Sequence, residues 1–512
     1  MPISHGTDGR DNMSFVSKSF LFIFMPLSIC LYFLAYAAEH HGIFQKFFQR
    51  FRIKDVLLIL LSMVFYAWAG ILGMGITACL ILLLYAAGRL VDRKRRSGRY
   101  FPVCRDSADG EECGRLYIYR IIFTLAAIVI VGSLVLFKHP QIIRRMLQLI
   151  FGQDIEKPTI LVPIGISFIS FSAISYLTDI CRGQASSGSL LDCAAYILFF
   201  PKVISGPIVL WKDFEPQLHG RVCTGELSAR GVNRIIVGLA KKSILADTFA
   251  AYLVTIESHS IDRISMVLCV ILYTLQIYYD FSGYSDIALG LSQMFGFDFK
   301  ENFNFPYRSA SISEFWRRWH ISLGTWFREY VYFPLGGSRC SKKRMALNLG
   351  IVFVLTGIWH GSGLNYLLWG LINGLFVIGE HFWMKKPGYQ KTPGAVRHVC
   401  TMLIVMVCWQ LFRAENMGQL KTVFGTLFGV IRPENLIYTW RYYLDSRMLT
   451  LLIVGILGAT VLGSPRIIAL YGRLREKPLF CAVQEVLLMG LLILSVLFIV
   501  NATYSPFIYF QY

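Results

Sequence analysis

One histidine in this chain, His360, stands where an ionisable side chain is costly, and histidine is the side chain best suited to accept a proton near neutral pH. His360 lies between two apolar runs, over residues 348–359 and 364–378. Ionisable side chains at membrane depth usually mark a function, so His360 is predicted to be catalytic. The adjacent Trp359 is a candidate substrate-binding residue. A core histidine hydrogen-bonded between helices explains the same position. Three small neighbours favour the catalytic interpretation, because small residues let helices or a ligand approach closely. They are Gly357, Gly361 and Gly363.

The second histidine, His320, lies in the segment 311–334, whose apolar residues recur with a helical period. Ser311 and Glu314 fit a capping box, and Pro334 followed by two glycines ends the segment. We therefore predict one amphipathic helix, with a polar face formed by Ser313, Arg317, His320, Gly324 and Arg328. An arginine one turn from a histidine suits an anionic acyl donor near the cytoplasmic surface, so Arg317 is a candidate for substrate binding. An interfacial helix with tryptophan anchors and solvated arginines fits the same pattern.

Two aspartates end or follow another apolar run, in the segment 278–290. Asp280 and Asp286 could tune a catalytic histidine or position a substrate, and Asp286 is kept as a candidate substrate-binding residue. The alternative is structural, since a buried carboxylate needs a positive partner in a low dielectric. Arg317 and Arg318 are the partners that this alternative suggests.

The composition is that of a polytopic membrane protein. Of the 512 residues, 55% are hydrophobic and only 16% are charged, whereas soluble proteins carry about 25% charged residues. The net charge of +19 is explained by basic loops between apolar runs rather than by nucleic-acid binding. Metal-ligand spacings, nucleophile elbows, Walker loops and dinucleotide fingerprints are all missing from the sequence, so neither a bound metal nor a bound cofactor is expected.

The apolar runs predict an all-α protein of about 10 to 13 membrane helices, including interfacial and re-entrant ones, in a single domain over 1–512. Two prolines suggest that 192–210 is broken or re-entrant, which is tolerated where backbone is buried in protein. The predicted spans are 20–38, 56–70, 73–88, 120–137, 160–178, 192–210, 232–254, 264–283, 346–360, 364–381, 399–413, 449–464 and 483–500.

The basic loops also predict an orientation. The spans 56–70 and 73–88 form a hairpin with basic residues at both ends, which places those ends in the cytoplasm and the N-terminus outside. By the same rule 346–360 runs outward from the basic residues at 342–344. His360 is then about 22 Å from the inner end of its helix, within the membrane.

At these residues the chain resembles the membrane-bound O-acyltransferase (MBOAT) family, and within it the branch that acetylates alginate and peptidoglycan. The core motifs fall within 195–381, and helices over 399–500 follow them. The matching stretches occur in the family's order, at 200–207, 238–247, 279–286, 302–307, 315–323, 332–337, 359–361 and 505–510.

The resemblance implies a helical core with a tunnel, in the bacterial cytoplasmic membrane and surrounded by its lipids. The two histidines of the family correspond to His320 and His360, either of which could be the base. The implied donor is acetyl-CoA or another cytoplasmic acyl thioester. The implied acceptor is an extracytoplasmic polysaccharide, reached through a separate extracytoplasmic acetyltransferase. No nucleic-acid partner is expected.

Three other functions remain open at this point. The protein could transport an acyl group or a small solute without chemistry, although paired inverted halves are not found in the sequence. It could transfer D-alanine to teichoic acid, a reaction of the same family. It could also be a scaffold of a polysaccharide-secretion complex, in which case histidine substitutions would be harmless.

Overall fold

The computed structural model describes residues 14–40, 51–96, 165–203, 206–361, 363–384 and 386–501, with a few isolated residues between them. Every regular element within these ranges is helical, so the predicted all-α class is confirmed. The predicted span 120–137, the start of 160–178 and the motif at 505–510 lie outside the described residues.

The N-terminal part begins with a π-helical turn at Phe20–Phe24. The helices that follow are α1 (Met25–His40), α2 (Ile53–Ala69), α3 (Ile71–Arg96), α4 (Ile166–Cys181), α5 (Leu190–Leu198), α6 (Phe200–Val203) and α7 (Trp211–Gly220). The central helices are α8 (Gly225–Ala240), α9 (Asp247–Glu257), α10 (Arg263–Met294), α11 (Ile312–Arg318), α12 (Ile321–Phe327), α13 (Lys342–His360) and α14 (Leu364–Trp383). The C-terminal helices are α15 (Pro387–Lys391), α16 (Gly394–Arg413), α17 (Met417–Leu427), α18 (Trp440–Tyr443), α19 (Ser446–Ala459), α20 (Pro465–Leu474) and α21 (Pro478–Asn501).

Six helical stretches of the described chain are long and apolar enough to cross a membrane. They are Phe20–His40, Ile71–Arg93, Arg263–Met294, Gly394–Arg413, Ser446–Gly463 and Pro478–Asn501. Each contains or overlaps a span predicted from the sequence, and α4 is a shorter apolar helix of the same kind. The predicted span 232–254 is a helix whose middle, Lys241–Ala246, is π-helical.

The predicted interruption of 192–210 is confirmed. Ser189 and Asp192 form a capping box that starts α5, and the helix ends at Phe199. After α6 the chain is extended over 206–210 before α7 begins. The residues on both sides of the break are buried among aromatic rings of the core, as broken backbone at membrane depth requires.

The long helix α10 is the centre of the molecule, with most of its residues buried. Two pairs of glycines bring it close to α8. A Cβ added at Gly283 would lie 2.7 Å from the carbonyl oxygen of Gly238, and one added at Gly290 would lie 2.6 Å from that of Gly231. Because backbone faces backbone at both points, the two helices approach more closely than larger side chains would allow.

The helical pair α13 and α14, which carries His360, is held in the same way. A Cβ at Gly357 would lie 2.5 Å from the carbonyl oxygen of Tyr366, and one at Gly370 would lie 2.5 Å from that of Phe353. The expectation that Gly357 permits a close approach is therefore confirmed, and the approach is between helices.

The prediction of one continuous helix over 311–334 is wrong. The chain forms α11, breaks at Trp319 and His320, resumes as α12, and continues as a π-helical turn at Arg328–Tyr332. The capping box is also only half present. The Ser311 hydroxyl accepts from the Glu314 N–H at 3.0 Å, but the Glu314 carboxylate accepts from Ala310 rather than from Ser311. Periodicity missed the break because the apolar residues keep their helical spacing across it.

Candidate active site

The break at His320 is an unusual backbone conformation that neighbouring segments hold in place. His320 has φ of 45° and ψ of 53°, the left-handed region, which is uncommon outside glycine. Two backbone bonds clamp the turn: the Ile321 N–H donates to the Asn302 carbonyl at 2.9 Å, and the Asn304 N–H donates to the Arg318 carbonyl at 2.9 Å. Strained residues of this kind cluster at active sites, where surrounding contacts over-determine them.

The His320 side chain is buried, with 2% of its surface exposed. Its Nδ1 lies 3.1 Å from the Asn302 side-chain oxygen. The Phe281 ring packs edge-on against the imidazole, with 4.7 Å between ring centroids. Among the described residues, Nε2 has no hydrogen-bond partner. One nitrogen is therefore anchored, and the other is free to meet a substrate.

Burial determines the charge of this histidine. Removal from water disfavours the imidazolium and lowers the pKa of His320 to about 3. At neutral pH the ring is therefore uncharged, with one nitrogen lone pair, as a general base requires.

A cavity of about 270 Å³ lies against His320. Its walls are largely apolar and come from α11, α12, α13 and α14, among them Trp316, Phe327, Phe353 and Val377. Arg317 and Arg328 also line it; both are exposed, and neither forms an ion pair with any other described residue. An apolar chamber with two uncompensated guanidinium groups fits a molecule with an apolar body and an anionic group.

Arg317 and His320 do line the same cavity, but for a different reason from the predicted one. The break between α11 and α12 removes the continuous helical face on which they were placed, so the tertiary fold brings them together.

A second cavity, of about 140 Å³, borders the residues that follow His320. Ile321, Ser322 and Thr325 form one side of it, and charged groups on the loop after α10 and on α7 form much of the rest. The His320 turn thus lies between an apolar cavity with arginines and a smaller cavity that both apolar and charged residues line.

His360 is the last residue of α13, and the cavity beside His320 does not include it. It lies one helical turn beyond Thr356, which does line that cavity, so the two residues share a face of the helix. The rings of Trp369 and Phe412 pack edge-on against His360, with centroid distances of 5.1 and 5.0 Å. His360 thus lies on the same face of α13 as the cavity, one turn beyond Thr356.

Trp359 is placed in the core rather than in the cavity. Its ring stacks on Phe171 at 5.0 Å and packs against Phe168 at 6.2 Å. The same cluster contains Leu323 and Trp326 of α12. Trp359 therefore connects the end of α13 to the helix that follows His320.

Both aspartates of α10 lie in ion pairs, as the structural alternative proposed, but with other partners. Asp286 is 3.0 Å from Arg234 and 2.7 Å from Lys241. Asp280 is 2.8 Å from the buried Lys242. Arg317 and Arg318 are not the partners, and Arg318 instead pairs with Glu314 at 2.9 Å. The carboxylates join α10 to α8 and to the π-helical segment Lys241–Ala246 that follows it.

Sequence reasoning missed Asn302, which contacts His320 from a loop 18 residues upstream. The residue stands in a quoted motif, Asn302–Tyr307, but nothing in its spacing relates it to the histidine. Asn302 and His320 meet only in the tertiary structure, where the loop after α10 folds back against the turn at His320.

Comparison with known proteins identifies the family of this chain. Residues 134–412 match the model of the membrane-bound O-acyltransferase family. This chain belongs to that family. The matched region contains both candidate histidines, the long helix α10 and the cavity beside His320.

Three relatives of this MBOAT enzyme extend the likeness over most of its length. The probable alginate O-acetylase AlgI of Pseudomonas aeruginosa is 35% identical over 429 residues, covering 81% of this chain and 75% of that protein. The protein of the same name from Pseudomonas putida is 32% identical over 98% of this chain and 100% of its own length. The peptidoglycan O-acetyltransferase of Helicobacter pylori is 27% identical over 81% of this chain and 80% of its own. The chain is accordingly a multi-pass membrane O-acyltransferase.

Proposed function

We propose that this enzyme moves an acyl group, acetyl by default, from a cytoplasmic thioester such as acetyl-CoA towards an extracytoplasmic polysaccharide. The observation that carries the proposal is the uncharged His320, with a free Nε2, on the wall of an apolar cavity that holds two unpaired arginines. The alginate and peptidoglycan acetylating relatives support a polysaccharide acceptor.

In this proposal the apolar cavity receives the acyl end of the donor. The anionic part of the thioester, with its phosphates, binds Arg317 and Arg328, whose planar guanidinium groups suit phosphate. Binding the charged part at these two arginines leaves the acyl carbonyl among the apolar side chains of the cavity beside His320.

His320 then acts as the general base. Its Nε2 takes the proton of an acceptor hydroxyl as the hydroxyl oxygen attacks the thioester carbonyl. A tetrahedral adduct forms and collapses, the C–S bond breaks, and the imidazolium returns its proton to the leaving thiolate. The products are the acyl ester and the free thiol, so no other reactant is required.

His360 is proposed to act one turn further along α13, where the acceptor meets the donor. The aromatic rings of Trp369 and Phe412 fix the orientation of its imidazole. Such a histidine would orient the acceptor hydroxyl towards the base. Trp359 and Asp286 then hold the helices rather than the substrate.

The location and partner belong to the same proposal. The enzyme would lie in the bacterial cytoplasmic membrane with its N-terminus outside, as the basic loops predict. The donor would enter from the cytoplasm, and a separate extracytoplasmic acetyltransferase would complete transfer to the sugar.

The test is the O-acetyl content of surface polysaccharide in cells that carry His320→Ala or His360→Ala. General acid–base catalysis is worth about 10² to 10⁴ in rate, so we expect nearly complete loss in His320→Ala at an unchanged level of the protein in the membrane. His381→Ala, at the end of α14, is the matched control and should acetylate normally.

Unchanged acetylation in both His320→Ala and His360→Ala would overturn the proposal and favour a scaffold. Loss of acetylation in cells, but retained hydrolysis or transfer of labelled acetyl-CoA by membranes of His320→Ala, would remove His320 from the chemistry and favour transport.

A further inference from the structure

We propose that Asn302 is a positioning residue that holds His320 in one tautomer, with the proton on Nδ1 and the lone pair on Nε2. The inference deepens the proposed function and rests on His320 being the base. It concerns a residue that does not touch the substrate: Asn302 acts through the histidine.

The orientation of the Asn302 amide follows from one unambiguous donor. The backbone N–H of Ser322 lies 3.3 Å from the Asn302 side-chain oxygen, and a backbone N–H can only donate. The Ser322 hydroxyl donates to the same oxygen at 2.9 Å. On the other side, the Asn302 amide nitrogen donates to the Ser285 hydroxyl at 3.0 Å. A flipped amide would direct NH₂ at a backbone N–H, so the oxygen must face Ser322 and His320.

The tautomer of His320 follows from the amide. The His320 Nδ1 lies 3.1 Å from an oxygen that can only accept, so Nδ1 must carry the proton. A neutral imidazole has one N–H, which leaves the lone pair on Nε2. That atom is buried and has no partner among the described residues, and the ring lines the cavity proposed for the donor.

The same residue also fixes the position of the ring. The Asn302 carbonyl accepts the N–H of Ile321, which closes the left-handed turn at His320. Backbone and side chain of Asn302 therefore act on the histidine together, and Asn302 itself is 1% exposed. A rigid, buried neighbour is what a positioned base needs.

An amide at this position keeps the base neutral, whereas a carboxylate would not. A negative charge within about 4–6 Å favours the charged form of a histidine by about 1–3 pKa units. Among the described residues, the acids on the elements packed against His320 have other partners. Asp280 pairs with Lys242, Asp286 with Lys241 and Arg234, Glu301 with Arg234, and Glu314 with Arg318, whereas the Glu380 carboxylate accepts the backbone N–H groups of Ile312 and Ser313. The cations Arg317 and Arg328 line the same cavity as His320.

The test compares Asn302→Asp with Asn302→Leu in membranes supplied with labelled acetyl-CoA, with transfer followed from about pH 4 to 9, so that an acid limb raised by about one unit falls within the measured range. Aspartate can accept the same bonds from Ser322 and His320, so this variant should fold and stay active at high pH. Its carboxylate stabilises the imidazolium, so the acid limb of its pH–rate profile should move up by about one pH unit or more. In the wild type, protonation of His320 should not lower the transfer rate above about pH 5, because burial lowers the pKa of that group to about 3.

Asn302→Leu removes the acceptor, so the tautomer is no longer fixed. We expect kcat to fall at least about tenfold at every pH, with little change in KM for acetyl-CoA. Asn435→Asp and Asn435→Leu are matched controls, because Asn435 has an exposed side chain on the loop before α18 and does not line the cavity. Both should keep the wild-type profile.

The outcomes separate this inference from the proposed function. An Asn302→Asp profile with an unshifted acid limb, or equal losses in both Asn302 variants at every pH, would reduce Asn302 to a structural role while His320→Ala stayed inactive. An active His320→Ala would instead overturn the proposed function itself.

Discussion

At the scale of the residue, burial gives this site its chemistry. His320 is the one of the two candidate histidines that lines a described cavity, and its neutral state follows from removal from water rather than from a nearby charge. The sequence identified the histidine and the arginine beside it. It could not identify Asn302, because no period or spacing relates a loop residue to a histidine 18 positions later.

Arg317 and Arg328 allow a prediction about donor binding. Arg317→Gln and Arg328→Gln each remove a cation from the cavity, and hydrogen bonds to charged groups contribute about 1.5–3 kcal/mol. We expect each change to raise KM for acetyl-CoA about tenfold or more, with a smaller effect on kcat, in steady-state assays on membranes.

Arg339→Gln provides the control for these two changes, since Arg339 is exposed and does not line the cavity. Its KM should equal that of the wild type. Normal KM values in both cavity variants would show that the donor binds elsewhere.

At the scale of the element, the site depends on how closely helices approach and on where one helix breaks. Glycines set the α13–α14 distance and hence the position of His360. The break at His320 depends on tertiary bonds to Asn302 and Asn304. The predicted continuous helix over 311–334 failed for that reason, since local periodicity carries no information about these partners.

Gly370 provides the test of the helix contact. In Gly370→Ala the new methyl would meet the Phe353 carbonyl at 2.5 Å, and backbone cannot move aside as a flexible side chain can. Overpacking costs about 1–3 kcal/mol, so we expect a lower unfolding temperature in detergent and reduced acetylation. Gly379→Ala, on the same helix, meets nothing within 4 Å and should behave like the wild type. Equal stability of the two variants would contradict the close packing.

At the scale of the whole molecule, buried polar contacts attach the N-terminal helices to the core. The guanidinium of Arg221 donates to the Tyr32 hydroxyl at 3.0 Å and forms an ion pair with Asp55, both on N-terminal helices. The Tyr32 hydroxyl in turn donates to the Phe295 carbonyl at 2.8 Å, just after α10. One buried arginine thus joins three parts of the chain.

We expect Arg221→Met to destabilise the protein strongly, because it breaks the buried pair with Asp55, which keeps only Arg52 as a cation partner, and removes the hydrogen bond to Tyr32. Breaking a buried pair costs about 3–5 kcal/mol, which should appear as a large fall in unfolding temperature and in membrane abundance. Arg230→Met is the control, since Arg230 is half exposed and lies 4.0 Å from Asp298. A loss no larger than that of the control would show that the Arg221 network contributes little.

The sequence by itself determined the class of the protein. Long apolar runs can satisfy their backbone groups in a membrane only as helices, so composition and run length predicted the all-α fold and the positions of its helices. The motifs predicted the family and the two histidines. The tertiary structure decided how these residues meet: which cations pair with Asp280 and Asp286, where the helix breaks at His320, and which amide holds its imidazole. These contacts join residues far apart in the chain, and local sequence patterns reflect burial and period but not partners.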